Sequence, residues 1–195
     1  MDTYILPLAA YCFVMSSTPG PNNVMLAASG ANFGFRDTLP HILGIVVGGA
    51  VQTFAACVGL GALLAEWPAW QVLLRWVGAA YLLVLAWRLV GSGIADGGLA
   101  RPLTLAQGAL FQAVNPKSWM KALTLAAVFM PPGWPVLHGS LLVAGVGLAV
   151  GLPCVSVWAL FGAAIRRWLQ QEGHRRAFNA IMAGLLAVLA FAFLQ

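Results

Sequence analysis

Charge is scarce in this chain. Ten Lys and Arg and five Asp and Glu make up 8% of its 195 residues, where soluble domains carry about 25%. A water-facing surface cannot be assembled from so few ionised groups, which excludes an ordinary soluble domain. Cysteine is scarce too. Cys12, Cys57 and Cys154 stand alone in apolar runs, without CxxC or metal-ligand spacing. They read as small buried hydrophobes, and no metal is expected. No GxxxxGKS/T phosphate loop occurs, so no nucleotide and no other cofactor is expected. The N-terminal "MDTYILPLAA" lacks Lys and Arg, where a secretory leader has a positive n-region. The first apolar segment is therefore expected to be retained as a membrane span.

Apolar sequence fills the space that charge leaves. Hydrophobic residues are 61% of the chain, and mean hydropathy is +0.88. A span needs about 20 apolar residues, and six fit: about 3–29, 38–65, 71–90, 103–130, 136–165 and 177–195. The net charge of +5 sits mainly in short loops, so it is read as membrane orientation and not as nucleic-acid binding. The loops after spans one, three and five carry Arg36, then Arg88 and Arg101 at the linker's edges, then Arg166, Arg167, Arg175 and Arg176. By the positive-inside rule these loops are cytoplasmic and both termini lie outside. Trp67, Trp70 and Trp134 at one set of span ends, with Trp87 and Trp168 at the other, suit interfacial belts.

The Gly-rich linker "GSGIADGGLARP", 91–102, divides the chain into three spans and three spans. A repeated three-span unit reverses its direction, as in transporters built from inverted repeats. The predicted fold is thus an all-α membrane protein, a single transmembrane domain over 1–195. Repeat 1 covers about 1–92 and repeat 2 about 103–195. "TPGPNN" interrupts span one and "QAVNPKSW" interrupts span four, each the leading span of its half. "GIVVG" at Gly44–Gly48 and "GLAVG" at Gly147–Gly151 also correspond in order. Small residues four apart read as helix-packing seams.

Proline removes a backbone N–H and clashes with the carbonyl one turn back. In hydrocarbon such freed groups are tolerated only where protein covers them or water reaches them. Pro19, Gly20 and Pro21 should therefore face the bundle interior, with Asn22 and Asn23 able to donate and accept there. Pro21 suits the first turn of a resumed helix, whose N-terminal end would attract a carboxylate. Asn115, Pro116 and Lys117 form the second break. Counted from Leu103, Lys117 is about 14 residues into its span, about 21 Å at 1.5 Å per residue. A cation that deep costs at least about 2.5–3.5 kcal/mol and marks a functional site by default. The bland counterpart is that Lys117 binds a carbonyl at the break. Lys121, one turn on, is expected nearer the outer end; His41 reads as an interfacial histidine and Arg75 as a cation that snorkels or pairs with Glu66.

"TPGPNNVMLAASGANFGFR", "LGIVVGGAVQ", "WVGAAYLLVLAWRL" and "FQAVNPKSW" together resemble the LysE/RhtB family of bacterial amino-acid exporters, over essentially the whole chain. The resemblance implies an inner-membrane, multi-pass exporter of an amino acid or derivative, driven by an ion or proton gradient, and no enzyme. It carries the substrate site onto Pro19, Gly20, Pro21, Asn22, Asn23, Asn115, Pro116 and Lys117. No Asp or Glu lies mid-span to carry a coupling proton. The coupling proton or ion, the exported amino acid and any homo-oligomer are left open. Three rivals stand beside this reading. A thiol oxidoreductase needs two cysteines that meet, yet span four has none and span one only Cys12. A hydrolase needs a base, and Ser16 and Ser17 have no evident partner. A passive channel differs from a carrier only in lacking uphill flux.

Overall fold

The computed structural model describes residues 2–61, 66, 68–91 and 101–194. The described residues that form regular structure are helical. They run as α1 (Asp2–Ser17), α2 (Pro21–Phe33), α3 (Phe35–Ala55) with a π-helical turn at Ala56–Leu60, α4 (Pro68–Gly91), α5 (Leu105–Val114), α6 (Pro116–Val128), α7 (Val136–Ile165), a 3-10 turn at Trp168–Gln170, and α8 (Glu172–Phe193). Residues 92–100 of the Gly-rich linker, residues 62–65 and Trp67 lie outside the described residues.

Among the described residues, four stretches are long and apolar enough to cross a membrane: Phe35–Leu60, Val72–Val90, Val136–Ile165 and Glu172–Phe193. The leading segments of the two halves are not continuous helices. The first stops at Ser17 and restarts at Pro21; the second stops at Val114 and restarts at Pro116. Each restart has the same form: proline occupies the first helical position, after Gly20 or Asn115. There the missing N–H costs nothing and the fixed φ suits the helix. The Asn115 side chain caps α6 by accepting from the Lys117 backbone N–H at 3.1 Å. Thr104 and Gln107 close a capping box at the start of α5.

Two boundaries differ from the sequence reading. The segment of α2 runs on to Phe33, and α8 begins at Glu172 rather than 177. Charge marks the end of hydrocarbon, not the end of a helix. Glu172 and Arg176, one turn apart, pair across the first turn of α8, a spacing that supports helix.

The main pairings join the two halves. α3 packs on α5, α7 packs on α2 and α1, α4 packs on α8, and α3 crosses α7. A Cβ on Gly44 would lie 2.2 Å from the Leu105 carbonyl oxygen, so glycine permits the close approach of α3 to α5. The corresponding pair in α7 does otherwise. A Cβ on Gly147 or Gly151 would meet only Cys12 Sγ at 4.0 Å or Ser16 Oγ at 3.7 Å. That pair leaves room rather than a tight seam.

The interior holds several apolar clusters, one built from α2, α4, α5 and α8 around Met25, Leu82, Leu89, Phe111 and Leu186. Large apolar side chains also face outward, among them Leu6, Phe13, Trp87, Leu110, Val188 and Phe191. Such a surface fits a lipid environment and not water.

Candidate functional site

The two breaks face one cavity of about 70 Å³, walled by α1, α2, α3, α5, α6 and α7. Of the eight residues singled out from sequence, Gly20, Pro21, Asn22, Asn23, Asn115 and Lys117 line it. Pro19 and Pro116 do not; Pro116 lies against a separate hollow with Trp70, Arg75 and Trp119. Arg75 thus sits beside the second break, and it forms no ion pair with Glu66 among the described residues.

The backbone groups freed by the prolines are taken up by side chains. Gln112 is four residues before Pro116, so its carbonyl lacks the usual helical donor. Gln52 of α3 donates its Nε2 to that oxygen at 2.9 Å, and Ser118 Oγ in turn bonds Gln52 Oε1. The Ala113 carbonyl, next in line, accepts from Trp119 Nε1 at 2.8 Å. At the first break, Asn23 Nδ2 donates to the carbonyls of Ser16 at 3.0 Å and Thr18 at 2.8 Å. Lys117 Nζ donates to Thr18 O at 2.7 Å, Thr18 Oγ1 at 2.9 Å and Pro19 O at 3.0 Å. An ammonium has three donors, and all three are spent there.

Lys117 is thus the second residue of a restarted helix, reaching across to the opposite break. Gly20 leaves it space: a Cβ there would come within 2.8 Å of Lys117 Cδ. A second tie joins the breaks. Asn22 and Gln112 pair through their amides, Asn22 Nδ2 to Gln112 Oε1 at 3.0 Å and Gln112 Nε2 to Asn22 Oδ1 at 3.2 Å.

Several lining residues were not singled out from sequence: Ser16, Thr53, Gln112, Ser118 and above all Lys121. Lys121, one turn beyond Lys117, also lines the cavity. Its Nζ donates to Ser16 Oγ at 3.0 Å. A legible signal did exist, because Lys121 follows Lys117 by one helical turn and must share its face. The lining holds these two cations and no Asp or Glu. His41 also departs from its reading. It is fully buried, beside a small apolar hollow with Met25, Leu85, Leu103 and Leu186. Neither ring nitrogen has a hydrogen-bond partner. Among the described residues no group of three His, Cys, Asp or Glu side chains could hold a metal.

Two helices broken at matched prolines, meeting at a polar cavity within an apolar bundle, define a solute-handling membrane protein. The LysE type translocator family model matches residues 13–195. Cysteine/O-acetylserine efflux proteins of Escherichia coli (strain K12), Shigella sonnei (strain Ss046) and Shigella flexneri are each 33% identical over 187 residues, 92% of this chain and 92% of the relative. No solved structure matches. The chain belongs to the LysE type translocator family. It is accordingly a multi-pass membrane transporter and not an enzyme.

Proposed function

We propose that this protein is a secondary-active exporter of small neutral amino acids or their derivatives, with the cavity between the two breaks as its substrate site. The observation that carries this reading is the convergence of both broken helices on one polar cavity, tied by the Asn22–Gln112 amide pair. Irregular backbone at membrane depth belongs where it lines a solute path. The relatives' substrates, cysteine and O-acetylserine, are small and carry no net charge as zwitterions. A cavity of about 70 Å³ with two lysines and no acid favours such solutes over bulky or cationic ones.

Donor counting divides the work between the lysines. Lys117 spends its three donors on the first break and so sets the geometry of the site. Lys121 has Ser16 Oγ as its acceptor and keeps donors for a carboxylate. The N-terminus of α2, opening at Pro21 with the N–H groups of Asn22 and Asn23, adds a positive end. Side-chain oxygens of Asn22 and Thr53 suit the ammonium.

The chain is read as six spans in two inverted repeats, about 1–92 and 103–195, lying in the inner membrane with both termini outside. The reciprocal packing of α3 on α5 and of α7 on α1 and α2 supports that plan. Rocking of one repeat on the other gives alternating access, and an ion or proton gradient supplies the driving force. Counterflow in proteoliposomes with a panel of the twenty amino acids and O-acetylserine tests the function. Exchange of small neutral amino acids, with uphill flux under an imposed gradient, is expected. Exchange of none of them, or purely downhill flux, contradicts it.

A further inference from the structure

A second cavity, of about 640 Å³, opens at the turn between α7 and α8. Three arginines line it, Arg166, Arg167 and Arg175, together with Asn32, Phe33 and Leu169. Arg166 caps the C-terminal end of α7, the longest apolar helix, so the hollow lies where hydrocarbon gives way to water. Arg175 sits in the first turns of α8, at the positive end of that helix. No acidic residue lines the hollow, and none of the three arginines is ion-paired among the described residues, where Arg176–Glu172 is the pair formed.

Arginines in this loop serve orientation in any case. Orientation, however, needs only charge near the surface and has no use for a hollow. Arg175 Nε is withdrawn from solvent and has no hydrogen-bond partner. A buried guanidinium N–H without an acceptor is costly, so Arg175 is held at the hollow's wall with its charge uncompensated by the protein. The turn that carries the arginines is also held in place. Trp168 stacks on His174 with ring centroids 4.1 Å apart, and Leu169 is buried in a cluster with Ala31 and Phe178.

We propose that this cavity binds a phosphate group, with the arginines as its donors. Guanidinium forks match phosphate oxygens in pairs, and three of them offset a charge that one carboxylate does not carry. Phe33 and Leu169 add an apolar wall, which suits the glycerol and acyl end of an anionic lipid seated at the interface. A free phosphate ion offers the same oxygens without that apolar contact.

The test uses the purified full chain in neutral detergent, with thermal melting read against added dioleoyl phosphatidylglycerol, dioleoyl phosphatidylcholine or inorganic phosphate. Saturable stabilisation by phosphatidylglycerol and not by phosphatidylcholine is expected. Arg175→Gln should raise the half-saturating concentration about tenfold, the scale of one lost charge-assisted contact. Arg167→Gln, at an exposed position, gives the same readout should the first variant fold poorly. Stabilisation by inorganic phosphate alone would keep the phosphate site and assign the free ion as its source. Equal responses to both lipids, equal protection by chloride at matched ionic strength, or an unchanged response in both variants would overturn the proposal.

Discussion

Gln52 of α3 donates to the backbone carbonyl of Gln112 at 2.9 Å, replacing the donor that Pro116 cannot provide. The break in one half of the chain is thus held by a side chain from the other half. Replacing Gln52 with Leu leaves that carbonyl only the long bond from the Asn115 N–H at 3.3 Å and also strands Ser118. The expected loss is about 1–3 kcal/mol, the usual cost of a buried group left unpaired. Thermal melting in detergent measures it. An unchanged melting temperature would show that the carbonyl finds another donor.

Gly20 gives a second expectation. Its backbone is extended, so alanine fits the conformation. The added Cβ instead meets Lys117 Cδ, at 2.8 Å, the flexible part of a long side chain. Gly20→Ala should therefore insert and accumulate normally while displacing Lys117 from Thr18 and Pro19. Export should fall about tenfold or more, the effect of about 1.4 kcal/mol on a site's geometry. Full export in this variant would sever the breaks' alignment from function.

His41 carries a third. Its ring is fully buried and both nitrogens lack partners, an arrangement that costs stability. His41→Leu should be neutral or stabilising in a thermal melt. Destabilisation by more than about 2 kcal/mol would instead reveal a partner such as a buried water.

Orientation is checked by impermeant thiol labelling of single cysteines at Gly173, beside the arginines, and Gly133, at the opposite turn. Gly133 should label from outside intact cells, and Gly173 only after permeabilisation. The reverse pattern inverts the predicted topology.

Both breaks could be read in the sequence, because Pro19, Pro21 and Pro116 stand beside Gly20, Asn22 and Asn115; proline alone does not suffice, since Pro40 and Pro153 lie inside continuous helices. The outward apolar faces and the 136–165 helix could be read as well. What escaped was the partner of each freed group. Gln52 and Ser118 look like ordinary polar residues until α3 and α6 are side by side. Gln112 carries a legible mark that the sequence reading does not use: it stands four residues before Pro116. Lys121 reads as the weaker of the two lysines because it lies further along the span; its contact with Ser16 depends on how α6 restarts at Pro116 and packs against α1. His41 reads as interfacial because it lies near the cytoplasmic end of span two, but the packing of α2, α4, α5 and α8 closes over it. The run of charge at 166–176 reads as a loop, yet α8 already begins at Glu172, because charged residues one turn apart support helix as well.

The assignment of the cavity as the substrate site, with Lys121 on the carboxylate and Lys117 on the backbone, is tested most directly by one comparison. Affinity is measured for the exported amino acid and for its amide, in the wild type, Lys121→Met and Lys117→Met, alongside each protein's melting temperature. Lys121→Met should keep its stability and lose affinity for the acid by about tenfold or more, with little change for the amide, which lacks the carboxylate charge. Lys117→Met should melt lower and weaken both ligands alike. Unaltered affinities in both variants, or equal loss for acid and amide in Lys121→Met, would contradict the assignment.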